Sequence, residues 1–164
     1  MDQLYPLAKV LEIKKRRVDE AERNVAQKKE LLRKEEELLK EKEAERDKAK
    51  QHHDDKLQQL RDELDEGTTT DKVEQMKVYL KICKERVVTE EQKVKEQQEQ
   101  VDLAQKNVEI AEQELRKRRM EVDKLKEHRV EWIKEYKAEL AFEEQKEQDE
   151  MGELMFMLRK RRGF

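Results

Sequence analysis

The composition of this 164-residue chain argues against an ordinary globular domain, because 49% of its residues are charged and only 4% are aromatic. Acidic and basic residues alternate along most of the chain and the formal net charge is −3. No broad field is therefore present to attract nucleic acid or an anionic membrane. Proline and glycine are rare and good helix formers dominate, which favours long helices over disorder.

The first predicted helix spans about residues 4–66. Pro6 fits its first turn, where backbone amides have no intrahelical acceptor. Apolar residues recur at every seventh position of this helix from Leu4 to Leu60, a series that Arg46 and His53 interrupt. Leu31 and Leu38 lie beside the series and widen the apolar stripe. Residues seven apart share one helix face, so the series forms a narrow stripe that a partner helix can cover. Its apolar members are Leu4, Leu11, Val18, Val25, Leu32, Leu39 and Leu60.

The only clear break in the middle of the chain is the segment from Gly67 to Asp71. Gly67 can end a helix in the left-handed conformation, and the three following threonines are poor helix formers. Asp71 and Glu74 have the spacing of a capping box, which marks the start of a second helix. A loop of residues 67–70 this short normally returns the chain antiparallel beside itself.

The second predicted helix spans about residues 71–160. Its second core position includes polar residues such as Glu90 and Gln97, so we expect thin packing and only modest stability there. Near its end the stripe widens at Val130, Trp132, Ile133, Tyr136 and Leu140. The main apolar column is Val73, Leu80, Val87, Val94, Val101, Val108, Leu115 and Val122.

These two stripes and one loop predict an all-α fold: two long helices in an antiparallel coiled-coil hairpin, with an overhanging C-terminal helical tail. We expect residues 1–164 to form one elongated coiled-coil domain. Reflection about residues 68–69 places Leu32 opposite Gln105 and Leu4 opposite Trp132. Because valine at a core position favours two-stranded packing, we expect a monomeric hairpin, although a weak dimer of hairpins stays open.

The C-terminal tail has no predicted partner within the chain after about Lys137. An acidic segment there is followed by methionine-rich apolar residues and a basic cluster, with Gly152 expected to kink or end the helix. Exposed apolar surface of this kind is common at partner-binding sites. The predicted partner-binding residues at the two ends of the chain are Leu4, Tyr5, Trp132, Tyr136, Met151, Leu154, Met155, Phe156, Leu158, Arg159, Lys160, Arg161 and Arg162.

The residue patterns give little support to an enzyme or a metal protein. His52 and His53 are adjacent on a helix and point about 100° apart, so they do not converge on one ion, and His128 is expected to be a solvated helix residue. Two paired helices have no cleft that would shift a catalytic pKa. Cys83 is the single cysteine and is expected to be a buried small side chain. We predict no catalytic residue, no metal and no cofactor.

Two stretches of the sequence resemble a known family. Tyr5-Pro6-Leu7 and Val10-Leu11-Glu12-Ile13-Lys14, with Arg17 and Ala21-Glu22, are similar to the N-terminal pattern of the type III secretion stalk proteins, the YscO/FliJ family. The run from Phe142 to Glu150 is similar to the acidic segment near their C-terminus. Length and hairpin layout agree over the whole chain, and the resemblance extends to the chlamydial member of the family.

The resemblance implies a non-enzymatic cytoplasmic stalk that couples the hexameric secretion ATPase to the export gate. Secretion chaperones and the needle-length regulator are further implied partners, and the protein would lie peripheral to the membrane-bound secretion apparatus. No nucleic acid binding is expected, and no direct membrane insertion, since no run approaches the roughly eighteen apolar residues that a span needs.

Two other functions stay open at this point. The exposed tail would also suit a chaperone-like escort or adaptor for secretion substrates and chaperones. A generic cytoplasmic coiled-coil scaffold, a parallel homodimer without a hairpin, would require the break from Gly67 to Asp71 to be an interruption that does not reverse the chain.

Overall fold

The computed structural model of the protein describes residues 4–163. Two helices contain nearly all of these residues: α1 spans Ala8–Glu66 and α2 spans Thr70–Arg162. The range 4–163 contains no strand. The two helices pack against each other, so the all-α helical hairpin is confirmed.

Helix α1 begins later than the sequence predicts, at Ala8 rather than near residue 4. The amide of Ala8 donates to the carbonyl of Tyr5 at 3.1 Å, which closes a turn with Pro6 at its second position. Proline is favoured at that position because its ring fixes φ near the value the turn requires. The first helical bond follows, from the amide of Leu11 to the carbonyl of Leu7 at 2.9 Å. Pro6 therefore precedes the first helical turn.

The turn between the helices consists of residues 67–69. Gly67 has a φ of 92°, a left-handed conformation that a side chain with a Cβ rarely adopts. The amide of Val73 donates to the carbonyl of Thr69 at 3.2 Å. Thr69 is therefore the N-cap of α2 and Thr70 its first residue, one position before the predicted start at Asp71. Asp71 instead lies in the first turn, where its negative charge favours the helix dipole.

Contacts divide the chain into two compact units, one of residues up to Ala21 and from Leu115 onward, and one of Glu22–Glu114. In the second unit α1 and α2 run antiparallel on either side of the turn. Residues that pair across the two helices are closer in sequence the nearer they lie to the turn. The ion pairs show this: Lys29–Glu112 at 3.5 Å, Lys50–Glu91 at 3.3 Å and Lys72–Glu63 at 3.5 Å.

The core of the second unit is thin. No described side chain is fully buried, and Glu90, only 8% exposed, occupies a seam position where an apolar residue would pack better. Gln97, another polar seam residue, donates to the backbone carbonyl of Glu35 at 3.0 Å. The buried apolar side chains of this unit are Val25, Ala49, Leu60, Cys83, Val101, Ala104, Val108 and Ala111.

In the first unit the beginning of α1 packs on the later part of α2. Lys14 donates to the carboxylate of Glu121 at 3.1 Å across the two helices. The buried side chains are Tyr5, Leu11, Leu115 and Val122. Val130, predicted to widen the stripe, is 64% exposed, because it lies off the heptad positions that face α1. Within residues 4–163 neither helix contains a stretch apolar enough to cross a bilayer.

Candidate partner-binding surfaces

Tyr5, in the segment before α1, forms a cluster with aromatic side chains of α2. The ring of Tyr5 meets that of Trp132 edge to face with centroids 5.6 Å apart, and Trp132 stacks on Tyr136 at 5.1 Å. The hydroxyl of Tyr5 lies 2.5 Å from Nδ1 of His128. Edge-to-face and offset arrangements are those in which ring quadrupoles attract. The cluster therefore holds the non-helical segment before α1 against α2.

The cluster changes the meaning of two predicted binding residues. Tyr5 is 3% exposed, so its side chain is used for packing within the chain, whereas its neighbour Leu4 is 60% exposed. Trp132 and Tyr136 are half-buried. Of these four predicted residues, Leu4 offers the largest free fraction to a partner.

His128 was expected to be only a solvated helix residue, and that expectation is wrong in one respect. Its side chain is largely exposed, but it shares a hydrogen bond with the hydroxyl of Tyr5, 123 positions away in the sequence. Nothing local in the sequence around His128 indicates this contact. The reflected register, which places the first residues opposite Trp132, is the one signal that points to it.

Ionic contacts support the same end of the hairpin. The hydrogen bond from Lys14 lowers the pKa of Glu121 below its usual value, and the nearby charge of Arg118 lowers it further. The carboxylate of Glu121 accepts from Arg118 at 3.5 Å as well as from Lys14. The Lys14–Glu121 pair therefore joins α1 to α2, while Arg118 contacts the same carboxylate from within α2.

The tail is the second surface. Every residue from 137 to 163 is exposed, although the segment carries several large apolar side chains. Gly152 does not end the helix: α2 continues to Arg162, and a Cβ at Gly152 would meet no atom within 4 Å. The exposed apolar side chains here are Met151 at 61%, Leu154 at 58%, Met155 at 62%, Phe156 at 69%, Met157 at 65% and Leu158 at 47%.

The last turn of α2 contains four consecutive basic residues, Arg159, Lys160, Arg161 and Arg162. Cations at this end of a helix are favoured by the dipole and by the free carbonyls of the last turn. The predicted binding residues of the tail are therefore brought together on one exposed helical segment.

Several apolar side chains lie on the flanks of the hairpin, including two, Leu31 and Leu38, that were predicted to widen the buried stripe. Leu31 is 50% exposed and Leu38 41% exposed, because each lies one position away from the heptad residue that faces α2. Leu31 and Leu103 line the same shallow groove on the second unit. Near the turn, Val78 and Ile82 are also exposed, at 62% and 55%. These positions give the second unit its own apolar surface.

The histidines of α1 have ordinary partners. Nε2 of His52 lies 2.8 Å from the hydroxyl of Tyr79, and Nδ1 of His53 lies 3.4 Å from the carboxylate of Asp54. Among residues 4–163, no three histidine, cysteine or acidic side chains are grouped to hold a metal ion.

A family model described as YscO-like protein matches residues 2–162. The chain belongs to the YscO-like family. The resemblance to the type III secretion proteins of this name is thereby confirmed over nearly the whole length. None of the curated proteins matches the sequence.

Two solved structures are similar to the chain. A YscO homolog, CT670 from Chlamydia trachomatis, is 50% identical and matches with a TM-score of 0.92, covering 97% of this chain and 98% of that one. A chain in the structure of the Chlamydia pneumoniae CdsV and CdsO protein complex is 53% identical, with a TM-score of 0.48, covering 51% of this chain and 96% of that one.

Proposed function

We propose that the protein is the non-enzymatic central stalk of a type III secretion system, which couples the hexameric secretion ATPase to the export gate. The observation that carries this proposal is the exposed end of α2. Apolar side chains there lie in solvent, whereas soluble monomers rarely expose contiguous apolar surface without a binding role. Membership of the YscO-like family supplies the secretion system as the context.

The chemistry of the tail suits a large protein partner. Methionine side chains adapt to irregular surfaces, and arginine is enriched at protein interfaces. We assign the contact with the ATPase to this tail, with Leu4 as a neighbouring contribution from the N-terminal segment. Secretion chaperones and the needle-length regulator are further partners in this proposal, which places the protein in the cytoplasm beside the membrane-bound apparatus.

The proposal is tested by removing the exposed surface without touching the hairpin. One variant ends at Glu150, and a second carries Leu154→Ser with Leu158→Ser. Purified secretion ATPase is then titrated with each, and both binding and ATP hydrolysis are measured. We expect at least about a tenfold loss of affinity in each variant, since two buried leucines contribute roughly 1.5–3 kcal/mol apiece and 1.4 kcal/mol is tenfold.

Leu103→Ser is the matched control, because Leu103 is 53% exposed but lies in the other unit. It should bind the ATPase as the unmodified protein does. A chain ending at Glu150 that keeps both full ATPase binding and full stimulation of hydrolysis would exclude the tail as the ATPase contact.

A second candidate function, escort of secretion chaperones, is favoured by the groove on the second unit. Leu31 and Leu103 line it together with the polar side chains of Glu35 and Gln100. Such a groove suits the apolar face of an amphipathic helix. Leu31→Glu with Leu103→Glu should abolish chaperone copurification and leave ATPase binding unchanged. If the variant loses ATPase binding but still copurifies with chaperones, the groove has no escort role.

A further inference from the structure

The charges of the tail are separated along the helix in a way that the rest of the chain avoids. Arg159–Arg162 are all basic and form its last turn. The segment before them, from Phe142 to Glu153, contains one basic residue, Lys146, against six acidic ones: Glu143, Glu144, Glu147, Asp149, Glu150 and Glu153.

These opposite charges cannot neutralise each other within one helix. Helical ion pairs form between residues three or four apart. The residues three and four positions before each member of the basic cluster are Met155 to Leu158 and Arg159, and none of them is acidic. The nearest acid, Glu153, lies six residues before Arg159, about 9 Å along the axis. In residues 137–163 the side-chain bond present is Gln145 to Asp149 at 3.2 Å, and no ion pair joins the acidic and basic parts.

The exposed apolar residues of the same segment have a symmetrical arrangement. At 100° per residue, Met151, Leu154, Met155 and Leu158 share an arc of about 100° on the helix surface. An antiparallel second helix that places Met151 opposite Leu158 also places Leu154 opposite Met155. The apolar face is therefore complementary to itself in the antiparallel direction.

The same register brings the opposite charges together. Glu147 then faces Arg162, and Glu150 reaches Arg161 on the same flank of the helix pair. Because a two-fold interface repeats every contact, two copies form four such ion pairs. We propose that the tail of α2 is a self-association surface, at which a second copy of this chain packs antiparallel through residues 147–162.

This self-pairing uses the face that the proposed function assigns to the ATPase, so if that function holds, dimer formation and ATPase contact exclude each other. The pairing itself does not depend on the ATPase. It is therefore tested with the full chain alone, and its failure would leave the ATPase experiment unaffected.

Sedimentation equilibrium of the full chain should give a reversible monomer–dimer equilibrium. Two charge-reversal variants make the test specific. The first carries Glu147→Lys together with Glu150→Lys, and the second carries Arg161→Glu together with Arg162→Glu. Each turns attraction into repulsion at both ends of the interface, so each alone should dimerise at least about tenfold more weakly. Mixed in equal amounts, the two variants regain complementary charges and should form a 1:1 heterodimer.

A matched control reverses Glu36 and Glu109, which are exposed on the hairpin, to lysine. It changes the net charge by the same amount as Glu147→Lys with Glu150→Lys and should leave dimerisation unchanged. The proposal is overturned if the full chain stays monomeric, if the tail variants dimerise as the control does, or if mixing them yields no heterodimer.

Discussion

Replacing Tyr5 by alanine tests whether one side chain holds the N-terminal segment on α2. Tyr5 is 3% exposed although it lies outside any helix, and it contacts both the ring of Trp132 and the imidazole of His128. The hydrogen bonds of α1 do not extend to Tyr5, because the first of them joins Leu11 to Leu7. The aromatic contacts are therefore its main attachment.

The expected loss follows from the area that Tyr5 buries. An aromatic side chain buries about 150–250 Å², which at about 25 cal/mol per Å² corresponds to roughly 4–6 kcal/mol. A compact unfolded state lowers such values by roughly 10–40%, so we expect Tyr5→Ala to lower the free energy of unfolding by about 2–5 kcal/mol. Tyr5→Phe keeps the ring and removes the hydrogen bond to His128, at a cost of about 1 kcal/mol.

Fluorescence gives a direct assay, since Trp132 is the single tryptophan of the chain. In Tyr5→Ala its indole should become more exposed, with emission shifted to longer wavelength, and amides at the start of α1 should exchange faster. Leu4→Ala is the control: Leu4 is 60% exposed, so its loss should change stability by less than about 0.5 kcal/mol. If Tyr5→Ala and Leu4→Ala give the same emission and exchange rates, the aromatic attachment is refuted.

Three further predictions concern the helices and the turn between them. Glu90→Met should raise the free energy of unfolding by about 1–2 kcal/mol, because Oε2 of this buried carboxylate has no hydrogen-bond partner. The urea midpoint should therefore rise, and a lower midpoint would contradict this. Glu121 should titrate below its usual pKa of 4.5 in an NMR experiment, and Lys14→Met should raise it. Its contribution to stability is complete above that usual pKa and is lost as the pH falls through the lowered value. Gly67→Ala should destabilise the turn by about 1 kcal/mol because of its φ of 92°, whereas exposed Gly152→Ala should stabilise its helix by about 1 kcal/mol, as hydrogen exchange can measure. If both glycine substitutions stabilised the protein, or both destabilised it, the argument from backbone conformation would be contradicted.

The hairpin was predictable because the information for it is local and periodic. Seven-residue spacing identifies which face of each helix is covered, and the segment at Gly67 identifies where the chain reverses. Seam residues such as Leu11, Val108 and Val122 are accordingly buried. The same spacing also explains why Leu31 stays exposed: one position in a helix is a rotation of about 100°, which is enough to leave the seam.

The aromatic attachment was only partly predictable. The reflected register brought the first residues near Trp132, but the turn at Pro6 and the bond between Tyr5 and His128 depend on side chains more than 120 positions apart. Helix propensity alone favours continuing α1 to residue 4. The tertiary contact of Tyr5 instead favours a turn that directs its ring onto α2, and no local signal encodes that preference.

The tail gives the two proposals a common surface and also a way to separate them. Loss of Leu154 weakens any partner that covers the apolar face, so leucine variants alone cannot distinguish a second copy from the ATPase. The charge-reversal variants can, because the paired changes at Glu147, Glu150, Arg161 and Arg162 complement each other only when two tails face each other. Mutual exclusion predicts that each charge-reversal variant alone, which stays mostly monomeric, binds the ATPase more strongly than the mixture does, since the heterodimer in the mixture buries the leucines that the ATPase would need.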